Sequence, residues 1–129
     1  MIWCQVNSYK ELTVWQRSFA LSVAVYRMTA GFPEAERFGL SSQLRRASTS
    51  IPANISEGWG RGSTKDYIRF LLMARGSIME LETHSLLAHE LGYLRPEPLM
   101  EVQREVEELG KMLNGLMQAL RNRPPRSNS

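Results

Sequence analysis

The chain has one cysteine, two histidines and no long apolar run. Each scarcity removes a class of protein. Cys4 alone cannot close an internal disulfide, and no cysteine or histidine spacing matches a metal site. Both facts fit a reducing cytoplasm, the location we expect. The opening Met-Ile-Trp-Cys-Gln-Val-Asn-Ser has no basic segment followed by an apolar stretch, so no signal peptide is expected. No run approaches the ~18 apolar residues that a membrane span requires, so no membrane is expected as a partner. Cys4 has no nearby histidine to activate it as a nucleophile. His84 and His89 fall in one predicted helix, and neither follows a Glu by three residues, as the di-iron pattern of helical bundles demands. Glu80 and His84, four apart, read as a helix-surface pair. Gly58-x-Gly60-x-Gly62 follows a helix instead of a strand and lacks a Lys-Ser/Thr pair, so it reads as a turn between helices and not a phosphate loop. The expectation is a protein without metal or cofactor that is not an enzyme.

What the sequence does have is helical periodicity, in four segments and with no strand pattern. The first helix is predicted over about residues 10–31. One stripe there is Leu12, Trp15, Phe19, Val23, Tyr26 and Ala30; another is Val14, Leu21, Val25 and Met28. A monomeric bundle helix needs one apolar stripe of about 100°. Two stripes predict burial on two sides, hence contact with another subunit. Gly31-Phe32-Pro33 ends this helix. The second is predicted over about 38–60, kinked at Pro52 and broken by Gly58, Gly60 and Gly62. The third, about 64–91, opens on a Ser63 cap and is again doubly striped. Tyr67, Leu71, Ala74, Ile78, Leu81 and Ala88 form one stripe; Ile68, Leu72, Met79 and Leu86 form the other. The fourth, about 96–122, starts at Pro96 and carries a seam of Leu99, Val102, Val106, Leu109, Leu113, Leu116 and Leu120. Connections of a few residues make consecutive helices antiparallel neighbours. The predicted fold is an all-α, up-down-up-down four-helix bundle in one domain of 129 residues. Its ordered core is expected over about 8–122, with a disordered tail from 123 to 129 and with Trp3 placed to pack on the bundle.

Residues 43–61 are the most informative stretch. Leu44, Ala47, Ile51 and Ile55 form an apolar stripe, and Gln43, Arg46, Ser50, Asn54, Glu57 and Arg61 form a polar one. Pro52 sits between, where a proline removes a backbone donor and costs a helix about 3 kcal/mol. Two readings of the polar stripe stand side by side: a solvated face, or a structured hydrogen-bond network involving Gln43, Arg46, Ser50, Pro52, Asn54, Glu57 and Gly58.

Charge is unevenly distributed. Residues 1–75 hold ten Lys/Arg against five Asp/Glu, residues 76–118 hold three against eight, and residues 119–129 add three arginines. From Arg37 to Arg75, seven bases face Glu57 and Asp66 alone. Such a segment attracts polyanions, since phosphate contacts release counterions. It is equally suited to pairing with the acidic half of a neighbouring helix or subunit.

The run Ser42-Gln43-Leu44-Arg45-Arg46-Ala47, followed by Ser50-Ile51-Pro52-x-Asn54-Ile55-x-Glu57-Gly58, resembles a known signature. It is that of the bacterial four-helix-bundle proteins encoded in intervening sequences of large-subunit ribosomal RNA genes. Tyr9-Lys10-Glu11-Leu12, Phe70-Leu71-x-x-Ala74-Arg75-Gly76-Ser77, Glu80-Leu81-Glu82 and Gly110-Lys111-Met112-Leu113-Asn114-Gly115-Leu116 extend the resemblance over roughly residues 8–121. That family is similar to the accessory variability determinant of diversity-generating retroelements, which forms a homopentamer, binds nucleic acid and partners a reverse transcriptase. The resemblance thus implies a cytoplasmic, non-enzymatic, homopentameric bundle. RNA or DNA, and a reverse transcriptase, are its candidate partners.

Two functions follow. In the leading one the chain is a nucleic-acid-binding or accessory factor, with Arg37, Arg45, Arg46, Arg61, Lys65 and Arg69 on phosphates and Trp59 stacking on bases. In the second it is a protein-interaction scaffold that never touches nucleic acid. There Arg45 and Arg46 pair within the protein and Trp59 caps the core.

Overall fold

The computed structural model describes residues 7–123, so the expectations for Trp3, Cys4 and the tail from residue 124 lie outside the described residues. Four helices carry the fold: α1 (Thr13–Thr29), α2 (Leu40–Trp59), α3 (Thr64–Glu90) and α4 (Pro96–Arg121). There is no strand among the described residues.

Local chemistry explains most helix ends. Ser8 and Glu11 form a reciprocal capping box around a short 3-10 turn, Tyr9–Glu11. Leu12 is extended, so α1 begins at Thr13, later than the periodicity predicts. The Glu36 carboxylate accepts from the Leu40 amide at 3.0 Å and thereby caps α2 from outside the helix. The α2 helix runs unbroken through Pro52 and Gly58, contrary to the expected break at Gly58, and ends at Gly60. Gly62 takes φ 90°, a left-handed conformation open to glycine. Ser63 then caps α3 by accepting from the Asp66 amide at 3.2 Å.

Helix α1 packs on α2, α2 on α3, α3 on α4, and α4 back on α1, while diagonal pairs do not meet. Cross-helix partners run in opposite senses. Ser22 meets Ser48 and Thr29 meets Arg45; Ser50 meets Ser77; Arg75 meets Asn114. The architecture is therefore the antiparallel up-down-up-down bundle.

The core takes one stripe from each doubly striped helix. Val14, Leu21 and Val25 of α1 and Tyr67, Leu71, Ala74, Ile78, Leu81 and Ala88 of α3 are buried. Most of the other stripes lies outside: Phe19 is 51% and Tyr26 47% exposed on α1, Met79 is 62% exposed on α3, and Leu72 and Leu86 are exposed beside it, while Leu12, Trp15 and Ile68 pack partly on the core. On α4 the seam shifts by one residue near its end, where Met117 is fully buried and Leu116 only half-buried.

Candidate functional site

The proline decides the geometry of α2. An α-helical carbonyl at residue 48 accepts from the amide of residue 52, which proline lacks. Ser48 is fully buried, so its carbonyl needs another donor. Ser22 of α1 supplies it: its Oγ donates to the Ser48 carbonyl at 2.8 Å.

The polar stripe of α2 divides in two. Its middle is structured. Ser50 Oγ donates to Ser77 Oγ at 2.6 Å and so ties α2 to α3, while Asn54 Nδ2 donates to the Ser50 carbonyl at 2.8 Å. Its flanks are wet. Gln43 and Arg46 are exposed, and Glu57 is exposed in an ion pair with Arg61 at 3.4 Å. Gly58 is buried where α2 crosses α3. A Cβ there would stand 2.8 Å from Phe70 Cβ and 3.1 Å from a Tyr67 ring carbon. Its place in the motif is thus close helix approach, not flexibility.

The candidate phosphate ligands do not form one patch. Arg45 is half-buried against α1: Nε donates to Thr29 Oγ1 at 2.8 Å, Nη2 to the Tyr26 carbonyl at 3.4 Å, and the guanidinium lies 4.7 Å above the Tyr26 ring. These contacts hold the guanidinium on the last turn of α1. Trp59 is half-buried, packs on the core and meets Tyr9 edge-to-face at 6.2 Å. Part of its ring is therefore taken up inside the protein. Arg37 precedes α2, where it pairs with Glu34 at 3.6 Å. The 20 residues of α2, about 30 Å of helix, separate it from Arg61. Arg61, Lys65 and Arg69 do gather, at the α2–α3 turn. Arg61 and Arg69 sit over the Phe70 ring at 4.9 and 4.6 Å, and Lys65 lies one turn from Arg69. Asp66 pairs with Arg69 at 3.5 Å.

Folding sorts charge by the ends of the bundle. The end bearing the α2–α3 turn, the start of α1 and the finish of α4 holds Lys10, Arg61, Lys65, Arg69, Arg121 and Arg123 against Glu11, Glu57 and Asp66. At the opposite end the balance is close, Glu34, Glu36, Glu90, Glu97 and Glu101 standing against Arg27, Arg37, Arg45 and Arg95. Periodicity could not foresee this, because it depends on which loops share an end.

A half-open groove of about 450 Å³ lies between α1 and α4. It is walled by Ala20, Leu21, Ala24, Met28, Pro98 and Val102, with Glu101 at its rim. Arg17 and Glu105 close one side through two hydrogen bonds of 3.2 and 2.7 Å. No histidine, cysteine or hydroxyl lines it. No cluster of three or more His, Cys, Asp or Glu able to hold a metal occurs among the described residues. Glu80 and His84 make no hydrogen bond or ion pair with each other, unlike the surface pair their spacing predicts, and His89 Nδ1 instead meets the Leu94 carbonyl at 2.8 Å. Two phenols are perturbed. Burial pushes Tyr67 well above its ordinary range, and donation to Glu36 at 3.0 Å raises Tyr93.

The sequence matches the profile of the 23S rRNA-intervening sequence proteins over residues 10–115, most of its length. The chain belongs to this family. A crystal structure of a protein of unknown function from the S23 ribosomal protein family of Bacteroides thetaiotaomicron is similar to it, with 27% identity and a TM-score of 0.73. The alignment covers 81% of this chain and 98% of that one. None of the curated proteins matches. For an intervening-sequence protein the signature around Pro52 thus has a physical content: it ties α2 to α1 and α3. No helix among the described residues is long and apolar enough to cross a membrane.

Proposed function

We propose that this intervening-sequence protein is a non-enzymatic, homo-oligomeric accessory factor of the cytoplasm that binds RNA or DNA through the basic end of its bundle. The observation that carries the reading is the gathering of Arg61, Lys65 and Arg69 beside Lys10, Arg121 and Arg123, where bases outnumber acids six to three. Lys65 is exposed and makes no ion pair among the described residues, and the ion pairs of Arg61 and Arg69, which also lie over the Phe70 ring, are exposed ones that a phosphate can displace. One such end is a weak ligand. In a ring the end repeats around the axis, and linked contacts raise avidity. Five copies is the number that the resemblance implies, and a reverse transcriptase is the protein partner it implies.

The test is filter binding of single-stranded RNA and DNA at ~50 and ~200 mM salt. Affinity should fall steeply with salt, by powers of ten where many phosphates are contacted. Arg61→Glu, Lys65→Glu and Arg69→Glu together should abolish binding at unchanged assembly. No binding by the unaltered protein at the lower salt would overturn the reading. A protein-interaction scaffold would then stand in its place, a reading favoured by the exposed apolar stripes of α1 and α3.

A further inference from the structure

Two apolar faces of the bundle are only partly covered within the chain. On α1, Trp15 stacks on Phe19 at 5.1 Å, and the two overhang a groove of about 300 Å³ whose far wall is Thr49, Pro52 and Ala53 of α2; Tyr26, 47% exposed, lies two turns further along the same face under the Arg45 guanidinium. On α3, Leu72, Met79 and Leu86 form an exposed ridge with Leu87 and Leu91 on its flank. Because α1 and α3 are diagonal and do not touch, the faces lie on different sides of the bundle. Their chemistry is complementary: aromatic rings face thioether and aliphatic side chains, a favourable pairing. Their charge is complementary as well. Helix α1 offers Arg27 and no acid, its Arg17 being paired with Glu105 of α4, and α2 adds Arg45 and Arg46, whereas residues 72–91 hold Glu80, Glu82 and Glu90 against Arg75 alone.

Spacing fits too. Phe19 and Tyr26 are seven residues apart, as are Leu72, Met79 and Leu86, so both ridges repeat every ~10.5 Å. Between the α3 knobs stand Gly76 and Thr83, which leave holes where knobs of a facing helix can enter. Gly76 has a further peculiarity. It is exposed in mid-helix, where glycine costs roughly 0.5–1 kcal/mol against alanine, and an added Cβ would meet nothing within 4 Å. Gly110 and Gly115 of α4 are equally open, but Gly76 alone of the three stands between the knobs of an exposed apolar ridge. Close approach of a second helix accounts for it there.

We propose that the α3 ridge of one copy docks on the α1–α2 groove of the next, Met79 and Gly76 against Phe19 and Tyr26. The contact joins unlike surfaces, so each copy uses one face in each direction and the assembly grows head to tail until it closes. This rests on the homo-oligomer proposed above and names its interface.

The experiment is mass photometry and sedimentation of the full chain at micromolar concentration. The unaltered protein should sediment as a multiple of 14.7 kDa; a monomer would overturn the oligomer itself. Given an oligomer, Phe19→Lys and Met79→Lys should each yield a folded monomer by circular dichroism. Mixed one to one they should form a heterodimer and nothing larger, because the first retains an intact α3 ridge and the second an intact α1 groove. Gly76→Gln should raise the melting temperature of the isolated chain yet abolish assembly, a divergence that loss of folding cannot produce. Retention of the full mass by either lysine variant, or failure of the mixture to pair, would overturn the interface while leaving the oligomer standing.

Discussion

Ser22 Oγ of α1 donates at 2.8 Å to the Ser48 carbonyl of α2, the group that Pro52 leaves without a helical donor. A helix defect in one element is thus satisfied by a hydroxyl in another, and the proline ties α1 to α2 at the cost of one backbone bond. Ser22→Ala should lower stability by about 1–3 kcal/mol, the penalty of an unsatisfied buried acceptor. In a Pro52→Ala background the amide returns, and the same change should cost far less. Urea denaturation of the four proteins measures the coupling; equal costs in both backgrounds would show that the bond contributes nothing.

Gly58 and Gly115 should respond oppositely to alanine. At Gly58 the new methyl meets Phe70 and Tyr67 at 2.8–3.1 Å, so α2 and α3 must separate, at about 1–3 kcal/mol. At Gly115, exposed on α4, nothing lies within 4 Å, and alanine should stabilise by roughly 0.5–1 kcal/mol. Thermal melts of the two variants check the contrast.

Alkaline stability should depend on Tyr67. Its phenol is fully buried, and burial raises its folded-state pKa above the unfolded value of ~10. The stability tied to the neutral phenol is therefore complete below pH ~10 and declines as pH rises beyond it. Tyr67→Phe should flatten the fall in melting temperature between pH ~9.5 and ~11. Parallel curves for the two proteins would place the alkaline sensitivity elsewhere.

The Arg17–Glu105 pair should show an ordinary salt response. It is bidentate but about a third exposed on each side, so Glu105→Gln should cost about 1 kcal/mol or less. The difference should shrink between ~0.05 and ~1 M sodium chloride, as screening predicts; a cost independent of salt would mean that packing, not charge, is lost.

Much of the bundle was legible in the sequence because helix faces announce themselves locally. The double stripes of α1 and α3, the Ser63 cap, Pro96 and the short connections gave four antiparallel helices. Gly58 reads as a break in the sequence but lies inside α2, because a glycine needed for close helix crossing looks the same in sequence as one that ends a helix. The partner of Ser48 was missed, although Ser18, Ser22 and Thr29 do interrupt the buried stripe of α1 with hydroxyls, all three buried in the fold. For Arg45 and Trp59 the residue type fits either phosphate and base ligands or groups tied up within the protein, and sequence alone does not choose. Tertiary packing places one against Thr29 and Tyr26 of α1 and the other beside Tyr9. The segment from Arg37 to Arg75 looked like one basic block because sequence proximity hides the ~30 Å that a straight helix puts between its ends.

The seam between α1 and α4 carries a kinetic consequence. The other three seams join consecutive helices, and Ser50 and Ser77 across one of them are 27 residues apart; Arg17 and Glu105 are 88 apart. Closing the longer loop costs about 1 kcal/mol more chain entropy. The seam it secures is the sparsest of the four and is notched by the 450 Å³ groove. Helices α2, α3 and α4 therefore have the local contacts to zip first, with the α1–α4 edge shutting last during folding and parting first when the native chain breathes.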